Sequence, residues 1–182
     1  MFNMNKLDIK KRAQILHMLV EGNSLRSAAR MADCSLNTVT KLLVDVGTAC
    51  AEYQDKALRN LPCKRVQCDE IWSFCYAKQK NVPGALKGVL GYGDLYTWTA
   101  LCADTKVVPC WNVGHRDADA AKAFVDDLSG RLANRVQLTT DGFKVYVNAV
   151  EAAFGADVDF AMLVKLYGEA HGNGAERKYS SG

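Results

Sequence analysis

KRVQCDEIWSFCY, residues 64–76, reads as one strand with a carboxylate inside it. Lys64 to Asp69 runs extended, and Glu70 to Tyr76 continues with apolar residues at alternate places. Successive side chains of a strand point to opposite faces, so Asp69 and Glu70 are expected on different sides of a sheet. Asp69 is the candidate for chemistry on this segment and Glu70 is secondary.

Downstream, LKGVLGYGDLYTWTALCAD (86–104) and KVVPCWNVG (106–114) read as two further strands with a turn at Asp104-Thr105. Proline has no amide donor, so Pro109 assigns the third strand to a sheet edge or to an interruption. Asp117 or Asp119 can cap the helix that follows, in which Ala120, Phe124, Val125 and Leu128 share one side. RVQLTTDG (135–142) reads as a strand with a second carboxylate, Asp141, at its C-terminal end. FKVYVNAVEAAFG (143–155) reads as a helix stopped by Gly155, and VDFAMLVKLYG (158–168) as a further strand. The order of three strands, helix, strand, helix, strand is an α/β pattern in which an antiparallel meander leads into a crossover.

Upstream of residue 62 the pattern is helical. A first helix is expected from Asp8 to Glu21, with Ile9, Ala13, Leu16, Leu19 and Val20 on one apolar stripe, ended by Gly22 and Asn23. Ser24 caps a short helix, LRSAARMA (25–32), and Asp33 and Cys34 make a turn. Ser35 caps a third helix, LNTVTKLLVDVGTAC (36–50), with Val39, Leu42, Leu43 and Val46 inward and Asn37, Thr38 and Lys41 outward. A short helix, a tight turn and a second helix make a helix-turn-helix, and small Ala28 and Ala29 let the helices cross closely. In that setting Ser35, Asn37 and Thr38 approach base edges or phosphates, Lys41 meets a phosphate, and Arg26 and Arg30 hold the DNA backbone. A plain three-helix bundle without a nucleic-acid role shows the same stripes. AEYQDKALRN (51–60) extends the third helix and Pro62 breaks it, which divides the chain into a head, 1–61, and a body, 62–182.

The charge is uneven along the chain. The net charge is +3, yet residues 1–65 carry +5 and the remainder −2, a basic module on a slightly acidic body. Apolar residues make up 49% of the chain without any run long enough to span a membrane, and the N-terminus lacks the apolar core of a secretory signal, so a cytoplasmic protein is expected. The seven cysteines are odd in number and none has C-x-x-C spacing, which argues against a disulfide framework or a zinc ribbon and for small core residues. Trp72, Trp98 and Trp111 can stack on bases, but core packing is the expectation we adopt. His115 and Arg116, just ahead of a helix, can contact phosphate or simply form a surface loop.

CDEIWSF (68–74) and TTDGFKVY (139–146), with the helical head upstream, resemble bacterial insertion-sequence transposases of the DDE type over essentially the whole chain. The resemblance implies an all-α helix-turn-helix domain followed by an incomplete RNase H-like mixed sheet with helices. In such a sheet the first and fourth strands lie side by side, which brings Asp69 and Asp141 together as catalytic metal ligands. It implies two magnesium ions, double-stranded DNA with terminal inverted repeats as partner, and a homo-oligomer on DNA. The donor chemistry is consistent, because magnesium takes one or two carboxylates together with phosphate oxygens and water. Two metals about 4 Å apart clamp the attacking and leaving oxygens of an in-line displacement.

The family also needs a third acid, a glutamate on a later helix. Glu151 is about 15 Å along the helix after Asp141 at roughly 1.5 Å per residue, too far to share a metal pair. Glu169 ends the last strand segment, and Glu176 lies in glycine-rich sequence without a helical stripe. The expectation is a chain that stops before its third acid and cuts DNA poorly by itself. The alternative function is a catalytically dead remnant that acts as a sequence-specific DNA-binding repressor. Another RNase H-like nuclease, such as an integrase or a Holliday-junction nuclease, is a further alternative.

Overall fold

The computed structural model describes residues 7–89 and 91–164. The chain divides after Arg59 into two compact units. The boundary expected after residue 61 is thus two residues late, because Leu61 already pairs with the body. Its amide donates to Arg131 O at 2.9 Å and its carbonyl accepts from Ala133 N at 3.0 Å.

The head holds α1 (Ile9–Val20), α2 (Leu25–Met31) and α3 (Leu36–Ala57). Each helix begins on a capping side chain that accepts an amide otherwise left without a partner. Asp8 accepts from Lys11 N at 2.8 Å, Ser24 from Ser27 N at 3.1 Å, and Ser35 from Thr38 N at 3.1 Å. Gly22, at φ +82°, takes the left-handed conformation that ends α1, and Asp33, at φ +47°, takes it between α2 and α3. The core is Ile15, Ala28, Ala29, Ala32, Val39 and Leu42, with Leu16, Leu19 and Val46 partly buried against it. The expected stripes were too wide. Ile9 and Val20, the terminal residues of α1, are 80% and 84% exposed, and Leu43 also faces out. Replacing Ser35 by Ala removes a cap and is expected to cost the head about 1 kcal/mol, measured by urea denaturation followed through helical circular dichroism.

The body contains β1 (Arg65–Cys75), β2 (Gly93–Cys102), β3 (Trp111–Gly114), α4 (Ala118–Ser129), β4 (Val136–Asp141), α5 (Val145–Phe154) and β5 (Val158–Leu163). The described residues thus make a mixed α/β protein with five α-helices and one five-stranded mixed sheet of order β3-β2-β1-β4-β5. β1, β2 and β3 are antiparallel neighbours, whereas β4 runs parallel to β1 and to β5. The second strand is shorter than expected and starts at Gly93, because Gly88 and Gly91 ahead of it take positive φ, +81° and +92°. β3 lies at an edge and starts two residues after Pro109, as a residue without an amide donor requires. No described helix is long and apolar enough to cross a membrane.

Period-two burial sorts the strands onto two faces. Val66, Cys68, Trp98, Ala100, Val136 and Leu138 join Phe124, Val125 and Leu128 of α4 and Tyr146, Ala149 and Val150 of α5 in one core. Asp117 caps α4 by accepting from Ala120 N at 2.9 Å. The opposite face leaves Asp69, Ile71, Trp111 and Val113 exposed.

Cys63, Cys68, Cys102 and Cys110 are buried whereas Cys50 is exposed. Burial, then the neighbouring Cys110, Glu70 and Asp69, pushes the Cys68 thiol well above its ordinary pKa. Iodoacetamide on the native chain is therefore expected to alkylate Cys50 first and Cys68 last, as read by peptide mass spectrometry. Equal labelling of the two would contradict this burial.

Arg135 ties the start of β4 to β5. It donates to Asp159, to Val158 O at 3.1 Å and to Ala156 O. The Arg135 hydrogen bond holds the Asp159 carboxyl below its ordinary pKa. A depressed pKa gives stability that is present above the unfolded value, about 3.9 for aspartate, and is lost as pH falls through the folded value. The gap in Tm between wild type and Arg135→Ala is expected to be constant near neutrality and to narrow below about pH 4.

Candidate functional site

β1 and β4 pair in parallel only as far as Gln67 opposite Thr139. Two residues further, the same register brings Asp69 level with Asp141 at the end where the strands part. Both aspartates belong to the uncovered face of the sheet. Glu70 lies on the other face, as strand periodicity requires, with Trp98 as its cross-strand partner, and its side chain is only 2% exposed. Glu70 nonetheless lies close to both aspartates. One oxygen from each of Asp69, Glu70 and Asp141 lies within 4.8 Å of the others. Glu70, expected to be secondary to the two aspartates, lies in the same cluster with them.

Fixed donors surround the cluster. The Glu70 amide donates to Asp69 Oδ1 at 2.8 Å, and the Phe143 amide to Asp141 Oδ1 at 3.0 Å. The buried Tyr146 hydroxyl on α5 donates to Glu70 Oε1. Arg116, in the loop between β3 and α4, bridges two acids. Its Nε donates to Glu70 Oε2 at 2.9 Å and its Nη2 to Asp141 Oδ2 at 3.1 Å. Its guanidinium lies 3.8 Å from the Phe143 ring centroid, a cation–π contact. Beneath them Trp98 donates its indole N–H to His115 O at 3.2 Å, which fixes the loop next to Arg116.

The electrostatics follow from this arrangement. Like charges about 4 Å apart repel by roughly 4 kcal/mol at an effective dielectric of about 20, so three ionised carboxylates need positive charge nearby. Burial works against the charge of Arg116, but the hydrogen bond and charge of Glu70, then the charge of Asp141, outweigh it and raise its pKa. Burial, then the hydrogen bond to Glu70, pushes the Tyr146 phenol far up, so it stays a neutral donor. A hard divalent cation fits this donor set, which consists of carboxylate oxygens alone.

Sequence reading located Asp69 and Asp141, and the structure brings them together. It missed Glu70, Tyr146 and Phe143 as neighbours of the pair and left Arg116 between phosphate contact and plain loop. The one available signal was the run of His115, Arg116 and Asp117 before a helix, which fixes no partner. Glu151 is exposed on α5 and lies apart from the cluster, while Glu169 and Glu176 fall outside the described residues.

In the head, Arg26, Arg30, Ser35, Asn37 and Lys41 are exposed and Thr38 is half-buried. Two of these positions have local work. The Ser35 and Thr38 hydroxyls lie 2.8 Å apart at the start of α3, and Lys41 Nζ pairs with Asp45 at 3.0 Å. Arg26, Arg30 and Asn37 are exposed polar groups on α2 and the start of α3.

No protein-family model matches this chain, and no curated protein matches it in sequence.

Proposed function

We propose that this chain is a DNA-processing protein of the DDE transposase type. In this reading a helix-turn-helix head binds terminal inverted repeats, and an RNase H-like body cuts and rejoins DNA as a homo-oligomer on paired ends. The observation that carries the reading is the meeting of Asp69, Asp141 and Glu70 where β4 ends beside the middle of β1. The placement of β4 beside β1, parallel to it, supports the RNase H-like part. The capped, three-helix head with Arg26, Arg30 and Asn37 exposed supports the DNA-binding part.

Asp69 and Asp141 would hold magnesium from the open face of the sheet, with Glu70 behind them. When bound, the metal pair supplies Lewis-acid stabilisation of phosphate oxygens and a deprotonated water or 3′-hydroxyl. The chain's own residues set the geometry. The Phe143 and Glu70 amides orient the two aspartates, and Tyr146 keeps Glu70 turned toward them. A nucleophile-and-base pair is not required, since attack comes from water or from DNA.

Slow nicking of supercoiled plasmid is expected from the full chain in magnesium or manganese, abolished by EDTA and by Asp69→Asn. Nicking that survives either treatment defeats the proposal. A second reading, an inactive DNA-binding repressor, is favoured by the complete, separate core of the head. Tight duplex binding in EDTA with no nicking in any metal selects it.

A further inference from the structure

We propose that Arg116 is the built-in counter-ion of the acidic cluster, and that a divalent cation enters by displacing its guanidinium from Glu70 and Asp141. This rests on the metal-binding reading given above. The donors around the cluster divide into two kinds. Asp69 Oδ1 and Asp141 Oδ1 are held by backbone amides, and Glu70 Oε1 by the hydroxyl of Tyr146, a fully buried residue. None of these can leave without disturbing β1, α5 or the loop between β4 and α5. Glu70 Oε2 and Asp141 Oδ2 are held by one side chain, Arg116, which comes from a loop and is 35% exposed. It alone has an open side through which to withdraw.

Arg116 matches the place of a metal in charge as well as position. It neutralises part of the charge of three carboxylates and joins two of them, the task a divalent ion performs with more charge in less volume. A divalent ion on the same oxygens would face the guanidinium as a like charge, which favours withdrawal of Arg116. The cluster is thereby held in shape before metal arrives, and the affinity for metal is lowered by the contacts that must break.

Mn2+ binding to the full chain, read by electron paramagnetic resonance of the free ion, tests this. Arg116→Gln keeps an amide donor and removes the charge. It is expected to bind Mn2+ about tenfold more tightly than wild type, the effect of losing one nearby cation partly screened by solvent. In the wild-type chain, the Arg116 Nε–H resonance in 15N spectra is expected to shift during a Mg2+ titration, with the midpoint of binding. This second readout does not depend on a variant folding. Equal or weaker Mn2+ binding by a folded Arg116→Gln, or an unmoved Nε–H resonance while the wild type binds, overturns the counter-ion role and leaves the metal site standing. If wild type, Arg116→Gln and Asp69→Asn all fail to bind Mn2+, the metal reading itself falls and the counter-ion role with it.

Discussion

Asp141→Asn is expected to reduce metal-dependent strand cleavage by about a thousandfold, to the background seen in EDTA, and Asp69→Asn to do the same. Each substitution removes an ionised oxygen ligand that metal stabilisation of the reacting phosphate requires. That stabilisation is worth several kcal/mol, and each 1.36 kcal/mol is about tenfold in rate. The folded state should barely notice the Asp69 change, because Asp69 is exposed and Asn can still accept from the Glu70 amide. Asp141→Asn also loses an ion pair with Arg116, so its Tm is the control to measure alongside cleavage. A folded variant with cleavage within about tenfold of wild type would remove Asp141 from the chemistry.

Trp98→Ala is expected to be the most destabilising single change in the body, by about 3–5 kcal/mol in urea denaturation. Trp98 is wholly buried and is one of the largest side chains in the core. Its ring packs against Tyr146, Phe124 and Phe143 at centroid distances of 5.5, 6.0 and 6.3 Å. The loss would approach the whole stability of a typical domain, about 5–15 kcal/mol. Trp98→Phe retains most of the packing but leaves the His115 carbonyl without its indole donor, at a cost of about 1–3 kcal/mol. That variant separates the core role of Trp98 from its hold on the Arg116 loop. A Trp98→Ala midpoint within about 1 kcal/mol of wild type would show that the sheet does not depend on this ring.

The two aspartates were singled out by the resemblance that CDEIWSF and TTDGFKVY carry, since an aspartate at a strand end is by itself usually a turn or cap residue. The cap residues Ser24, Ser35 and Asp117 were legible directly. A capping side chain sits at a fixed offset from the amide it serves, so the information is local. Trp98 was assigned to the core and is there, whereas Trp111, at an edge strand, is 48% exposed. The same local reasoning over-counted burial in the head. An apolar stripe marks the side of a helix that turns inward, but not how far along it the neighbours extend, so Ile9, Val20 and Leu43 were misjudged.

The sequence by itself determined the alternation of elements, the caps and turns that bound them, and the sorting of strand residues onto two faces. All of these depend on residues within a few positions of one another, where helix and strand periodicity act directly. The resemblance implied β4 beside β1, as observed, but only the tertiary structure decided that Glu70 joins the two aspartates and that Arg116 from a distant loop closes the cluster. Those contacts join residues 25 to 76 positions apart, and nothing in local periodicity sets such a pairing. It is set by which strand edges remain to be paired and by where the core around Trp98 fixes the loop that carries Arg116 and the helix that carries Tyr146.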